Sequence, residues 1–308
     1  MAARHLTPAL AVQLANPRSW VASLYPTLFG LAYGTSQGYG VTLAMAFALV
    51  VAAIAMQSAV NTLNDYYDFV KGTDSIADHV EVRDAAMVYG TFPPRQAFYL
   101  GIAFLAVAAI IAVPVCIAAG PAPLLIGAFG TAIVWMYSGG ILPISYLPLG
   151  EVVSGVVMGG LIPLGVVAAM SGGYSWAVLV PALPFVLGIG LIMMTNNTCD
   201  IEKDRRARRH TLPVRLGRQQ ARGLYRIVTI LWFVTMGCIA STYIGWLGWL
   251  IPLVAVVVIW KGLAHMMRTK LCPERRVGNM KAVVMVNVLG NGIYLAWWIW
   301  LAGGMLHG

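Results

Sequence analysis

Polar residues are scarce along this chain and fall at intervals between long apolar runs. Crossing a hydrocarbon core takes about 20 helical residues. Nine runs approach that length, near residues 19–36, 41–63, 96–118, 121–138, 151–170, 176–197, 223–243, 246–266 and 281–303. The pattern predicts an all-α membrane protein of nine transmembrane helices in a single polytopic domain spanning residues 1–308. Ahead of the first run, Pro8 and Gln13 interrupt the apolar stretch that follows Arg4, which makes this segment a short interfacial lead-in.

Composition agrees with that pattern. The 308 residues are 59% apolar and 10% charged, against about 25% charged in soluble globular domains, so a soluble single domain is excluded. The formal charge of +9 would suggest nucleic acid in a soluble protein. Here it reports sidedness instead, and no nucleic-acid partner is expected. Arg4 and Arg18 precede the first run, Lys71, Arg83 and Arg95 follow the second, Lys203 to Arg226 follow the sixth, and Lys261 to Lys281 surround the link between the last two. The alternate connections, around 34–40, 120–121, 171–175 and 241–246, carry no charge. The positive-inside rule then predicts a multi-pass protein of the cell membrane, with a cytoplasmic N-terminus and charged loops and an outward C-terminus. Cys116, Cys199, Cys238 and Cys272 show no paired spacing, so no disulfide framework is expected.

Most of the carboxylates lie in two cytoplasmic segments. In the first, residues 61–84, Asn61, Asn64, Asp65 and Asp68 share one helical face, Gly72 is a helix stop, and Asp74, Asp78, Glu81 and Asp84 follow. In the second, residues 194–217, Asn196, Asp200 and Asp204 recur at every fourth position. Each holds an Asn-x-x-x-Asp at the end of an apolar run, and the offset from Asn64 to Asn196 equals that from Asp68 to Asp200. The arrangement predicts an internal repeat whose two acidic faces meet across a cavity. Facing carboxylates at a membrane edge raise one another's pKa unless a cation neutralises them. All-oxygen donors suit Mg²⁺, whereas His79, His210 and Cys199 form no zinc spacing. The basic residues Lys71, Arg83, Arg205, Arg206, Arg208 and Arg209 either satisfy the positive-inside rule or clamp a phosphorylated substrate, with Lys71 and Arg83 the better placed for the second task. A cation-coupled transporter would also use paired acidic motifs, though such ion sites tend to lie near the bilayer midplane.

NDYYDFVKGTD at 64–74 and NNTCDIEKDRRARRHTLPVRLG at 196–217 resemble the UbiA superfamily of intramembrane prenyltransferases, most closely its branch acting on 1,4-dihydroxy-2-naphthoate in menaquinone synthesis. Asn16–Pro17–Arg18 and YSGGILPISYLPLGE at 137–151 extend the resemblance over nearly the whole chain. It implies nine helices around a central cavity, Mg²⁺ ions at the two motifs, and transfer of a polyprenyl group from polyprenyl diphosphate to the aromatic acceptor. In this branch the transfer goes with decarboxylation, giving demethylmenaquinone. Other members use a different aromatic or glycerol-phosphate acceptor.

On that resemblance the metal ligands are Asn64, Asp68, Asp74, Asn196, Asp200 and Asp204, of which Asn64, Asp68, Asp200 and Asp204 are catalytic. Lys71, Arg83, Asn61, Tyr137, Tyr146 and Glu151 are candidate substrate-binding residues. Tyr66, Tyr67, Tyr137 and Tyr146 are candidates for stabilising an allylic cation with a ring face. Glu151 either touches the acceptor or caps a helix N-terminus. Two positions depart from the family's pattern: Ile141 stands where a Gly-Gly-Pro is common, and Cys199 where an Arg precedes the aspartate. Arg205 is expected to take over whatever phosphate an arginine at position 199 would have held.

Overall fold

The computed structural model describes residues 5–73, 86–90 and 92–306; Asp74, Asp78, Glu81, Arg83 and Asp84 lie outside them. Among the described residues the regular elements are helices, with no strand. The lead-in is a short helix, α1 (Pro8–Ala15), opened by the Thr7 hydroxyl, which accepts from the Leu10 N–H. It stops at Asn16, which takes a left-handed conformation. Leu14 packs with Ala86, Met87, Phe92 and Ala97 in a small core of its own.

The apolar runs become α2 (Val21–Ser36), α3 (Leu43–Val70), α4 (Pro94–Ala119), α5 (Pro121–Ser138), α6 (Gly150–Ser171) and α7 (Leu179–Cys199). Two short helices follow, α8 (Ile201–Arg206) and α9 (Leu212–Leu216), and then α10 (Arg218–Ile244), α11 (Leu250–Arg268) and α12 (Arg276–Leu306). Among the described residues, seven helical stretches are long and apolar enough to cross a membrane. One of the seven, Arg218–Arg268, contains both α10 and α11. α2 has only 16 residues, because the chain turns through Pro17–Ser19 before it and Gly38 sits at positive φ after it.

Several helices outrun their apolar segments. α3 continues through the first acidic motif to Val70, and α10 and α12 begin at Arg218 and Arg276, ahead of their apolar runs. Long basic side chains allow this, since the stem covers apolar surface while the head reaches polar partners. Arg218, Arg222 and Arg226 on α10 donate to the carbonyls of Leu271, Arg268 and Met267. They satisfy acceptors left unpaired at and beyond the end of α11.

α2 to α7 and α12 form a ring of neighbours, in which α6 contacts both α2 and α7, and α12 closes between α7 and α2. α10 and α11 pack on the outside, against α7 and α12 respectively. Polar bonds help hold this outer layer: Trp232 Nε1 on α10 donates to Asn291 Oδ1 on α12 at 3.0 Å, and Asn291 Nδ2 donates to Asn287 Oδ1 at 3.2 Å. The first of these joins two helices, and such interhelical bonds contribute about 0.6 kcal/mol on average in a membrane; the second orients Asn291 within α12.

α6 and α7 approach each other closely. Gly155 and Gly159 lie so near the backbone at Val186 that an added Cβ would collide with it, and Val157–Leu161 forms a π-helical turn there. Gly159→Val is therefore expected to destabilise the protein by about 1–3 kcal/mol, seen as a lowered midpoint of thermal unfolding in detergent. Gly127→Val, on a face with nothing within 4 Å, is expected to leave the midpoint nearly unchanged.

Candidate active site

α3 ends in the stop that the sequence predicts. Gly72, at φ +69°, donates to the Phe69 carbonyl at 3.0 Å, and Thr73 donates to the Asp68 carbonyl at 2.8 Å, the two bonds of a Schellman motif. Asn64 and Asp68 are thereby set on the last two turns of a rigid helix. Asn64 Nδ2 donates to Asp68 Oδ2 at 3.2 Å, and Asn64 Oδ1 accepts from the Ser138 hydroxyl at 2.8 Å.

The second motif is not one continuous helix, as its spacing suggested. α7 ends at Cys199, Asp200 is the junction, and α8 begins at Ile201. Backbone bonds from Asp200 to Asn196 and from Asp204 to Asp200 cross the junction. The i to i+4 progression therefore survives, and Asn196, Asp200 and Asp204 still share one wall.

Both motifs line a single cavity of about 700 Å³. Asn61, Asn64, Asp65 and Asp68 meet Asn196, Asn197, Asp200 and Asp204 at its polar mouth. Beyond the motifs the walls are mostly apolar, with Gln57 and Ser154 among the polar exceptions. On α3 they extend from Asp68 to Leu49, an axial distance of about 28 Å. No residue of α10 or α11 is part of the lining.

Two arginines hold the acids. Arg209, 8% exposed, reaches both motifs: Nη1 lies 3.4 Å from Asp68 Oδ2 and Nε 3.5 Å from Asp204 Oδ1. Its guanidinium also lies 5.2 Å from the Tyr146 ring centre. These contacts are long for charge-assisted bonds, which favour about 2.7–2.9 Å. Arg276, from the first turn of α12, is closer. Its Nε lies 3.0 and 3.1 Å from the two oxygens of Asp200, and its Nη2 donates to Asn196 Oδ1.

Asp204 is nearly fully buried and accepts from the Thr211 hydroxyl at 3.0 Å. Burial pushes its carboxyl up to about 6, opposed by the Arg209 charge, reinforced by Asp200 and opposed again by the Thr211 bond. For Arg209, burial alone would lower the pKa, but Asp68 and Asp204 outweigh it and hold the guanidinium above its ordinary value. Burial lowers the pKa of Lys71; Asp68 opposes this and Arg209 adds to it.

The other candidates divide. Tyr137 lines the cavity and accepts from Ser154 at 3.2 Å. Tyr66 and Tyr67 instead pack with Phe98 and Trp135, away from the lining. Tyr146 also lies outside it, its ring between Lys71 and Arg209. Lys71 donates to the Ser138 carbonyl at 2.8 Å and is not part of the lining. Asn61 is part of it, but its amide donates to the Ala15 carbonyl and the Ser19 hydroxyl, which ties α3 to the lead-in. Glu151 is buried behind the wall, where Oε1 accepts from Asn197 at 2.8 Å. Arg205 is exposed and outside the lining.

Arg276 escaped the sequence reading because nothing in its own loop is a motif, and it reaches Asp200 across 76 positions. Asp74 and Arg83 lie outside the described residues. Among those described, no three His, Cys, Asp or Glu side chains converge on one point. Two oxygen-rich half-sites sharing one cavity still fit Mg²⁺, which takes one or two carboxylates and fills its shell with water and substrate phosphate.

Removing Arg209 leaves two buried carboxylates without their shared cation, a change that costs about 3–5 kcal/mol in buried ion pairs. Arg209→Met is expected to lower the unfolding midpoint of the metal-free protein clearly, and added Mg²⁺ should recover part of the loss.

The family model for the UbiA prenyltransferase family matches residues 23–279. A Bacillus subtilis protein described as a 1,4-dihydroxy-2-naphthoate octaprenyltransferase is 32% identical over 209 residues, 68% of this chain and 66% of that protein. The chain thus spans just under two thirds of that relative. A Mycobacterium tuberculosis protein of the same description is 30% identical, over 72% of this chain and 76% of its own. Among solved structures, a UbiA homologue from Archaeoglobus fulgidus bound to DMAPP and Mg²⁺ superposes with a TM-score of 0.63 at 15% identity, covering 95% of this chain and 99% of that one. At that identity the likeness concerns the fold. The helical ring, the acid-lined cavity and a family match running from α2 into α12 lead to one assignment: this chain is an integral membrane protein of the UbiA prenyltransferase family.

Proposed function

We propose that this protein transfers a polyprenyl group from polyprenyl diphosphate to 1,4-dihydroxy-2-naphthoate, with Mg²⁺ and with loss of the acceptor's carboxylate as carbon dioxide, giving demethylmenaquinol, the hydroquinone form of demethylmenaquinone. The observation that carries the prenyl transfer is the pair of Asn-x-x-x-Asp motifs lining one deep cavity whose remaining walls are mostly apolar. The choice of acceptor rests on the description shared by the relatives at 32% and 30% identity. In this reading all nine apolar runs cross the cell membrane, the motifs form an internal repeat, and the charged face is cytoplasmic.

Asn64, Asp68, Asn196, Asp200 and Asp204 would hold Mg²⁺, with Asp74 completing the first motif. Bound Mg²⁺ supplies positive charge against the departing diphosphate. The protein's own groups do the rest. Breaking the allylic C–O bond sends its electron pair to the diphosphate, and Arg209, poised between the motifs on long contacts, is placed to meet that charge as it develops. The apolar walls keep water from the carbocation until a ring carbon attacks. Tyr137 is the candidate tyrosine whose ring borders that space. Glu151, behind the wall, acts indirectly by fixing the Asn197 amide.

Asp68→Asn and Asp200→Asn are each expected to reduce prenyl transfer by at least a hundredfold, measured by mass spectrometry of lipid extracts after incubation with dihydroxynaphthoate, polyprenyl diphosphate and Mg²⁺. Full activity in either variant would remove the metal role. A panel of other acceptors tests the choice of naphthoate, and ion-driven uptake by vesicles that do not turn over polyprenyl diphosphate would favour a transporter.

The raised pKa of Asp204 gives a pH dependence with a definite sign. A carboxyl with a folded pKa above its unfolded one stabilises the metal-free protein at low pH, and that contribution is lost as pH rises through about 6. A metal ligand must be deprotonated, so Mg²⁺ affinity runs the other way. It is expected to be about tenfold weaker at pH 5 than at pH 7. Asp204→Asn should flatten this step, as read by titration calorimetry.

A further inference from the structure

Arg276 belongs to neither motif, yet it engages Asp200 of the second one more closely than Arg209 engages either of its acids. Its position is built from three elements. Asn279, one turn further along α12, donates to the Lys270 carbonyl at 3.0 Å and to Cys199 Sγ at 3.7 Å, and its Oδ1 lies 3.0 Å from His265 Nε2. The start of α12 is thereby tied to α11 and to the last residue of α7. Cys199 is fully buried against Asn279. A long side chain at 199 would hold α12 away; a cysteine lets it approach until Arg276 enters the cavity beside Asp200.

The acceptors of Arg276 among the described residues are Asp200 and Asn196, the same oxygens that Mg²⁺ would take at the second motif. These oxygens cannot serve a guanidinium and a metal in full at once. Once the metal holds them, Arg276 is a largely buried cation, its side chain 16% exposed, deprived of its partners. Keeping such a charge unpaired is costly. The cavity that Arg276 lines admits one anion together with the metal, the substrate's diphosphate, and a planar fork of donors suits phosphate oxygens.

We propose that Arg276 is a ligand of the donor diphosphate, supplied by the last long helix from outside both acidic motifs, and that its contact with Asp200 and Asn196 is the resting position it leaves when metal and donor bind. This rests on the prenyltransferase reading of the cavity but not on the identity of the acceptor. The small residue at 199 and the arginine at 276 form one device, because the first permits the approach that delivers the second. Binding of the donor is thereby coupled to the packing of α12 against α7 and α11.

The test is binding by the purified, full-length protein in detergent, without acceptor. The probes are Mg²⁺ alone and then farnesyl diphosphate at saturating Mg²⁺. Arg276→Gln is expected to bind Mg²⁺ alone at least threefold more tightly, because a competing cation is gone, and farnesyl diphosphate at least tenfold more weakly. Arg276→Lys should fall between it and the wild type. Arg275→Gln, an equal change of charge at the neighbouring exposed residue, should alter neither affinity. The proposal is overturned if Arg276→Gln binds farnesyl diphosphate as tightly as the wild type. It is equally overturned if Mg²⁺ and farnesyl diphosphate weaken together, which would mark Arg276 as a support for the motif alone. Should Arg276→Gln fail to fold, Arg276→Lys decides by the same two affinities. A wild-type protein that binds no farnesyl diphosphate would instead overturn the prenyltransferase reading, and one that binds it but prenylates no naphthoate would overturn only the acceptor.

Discussion

Carboxylates held close together at the edge of a low-dielectric layer must be neutralised, and the architecture of this protein turns on how that is done. Asp68, Asp200 and Asp204 are each less than a tenth exposed, where an uncompensated charge would cost several kcal/mol. The chain meets the requirement with two arginines from different places, Arg209 from the link between α8 and α9 and Arg276 from the start of α12. Each engages oxygens that a divalent cation would also use. The two arginines thus offset two of these three charges, and in the proposed reading they stand where a phosphorylated substrate would be held.

Holding those arginines in place engages much of the half of the bundle that carries the two motifs. The link carrying Arg209 is pinned by the His210 N–H, which donates to the Tyr146 carbonyl at 2.8 Å, and by the bond from Thr211 to Asp204. Arg276 depends on Asn279 and on the end of α11, whose carbonyls are satisfied in turn by arginines of α10. α10 and α11 line no part of the cavity, yet they support the helix that delivers one of its two cations. Further from the mouth, the glycine contact between α6 and α7 sets the wall opposite α3, and the π-helical turn beside it presents Val157, Met158 and Leu161 to the cavity.

Particular residues show how far a linear reading could go. Asn64, Asp68, Asn196, Asp200 and Asp204 were legible because four-residue spacing at the end of an apolar run has few other physical meanings, and all five line the cavity. Gly72 was legible because a left-handed stop wants a residue without a Cβ. Tyr66 and Tyr67 share α3 with Asp68, but the rotation from one helical residue to the next turns them to another face, and neither they nor Lys71 and Tyr146 are part of the lining. The rings of Tyr66 and Tyr67 engage Phe98 and Trp135, the Lys71 amine the Ser138 carbonyl, and the Tyr146 ring lies beside Lys71 and the cavity-lining Arg209. Glu151 read as a group for a substrate or a helix end, and it lies behind the wall on Asn197.

The sequence by itself determined what depends on local chemistry: the helical class, the membrane environment, the grouping of charge into alternate connections between apolar runs and the two acid-and-amide motifs. Hydrophobic run length and four-residue spacing are properties of a single helix, so they survive in one dimension. Only the tertiary structure decided which cation meets which acid. Arg209 and Arg205 sit in one basic run, yet the first is buried between the motifs and the second is exposed. Arg276 and Asp200 are 76 positions apart and yet paired. Pairing of that kind is set by how closely α12 can approach α7, and that distance is a matter of packing volume at residues such as Cys199 and Asn279 that carry no motif of their own.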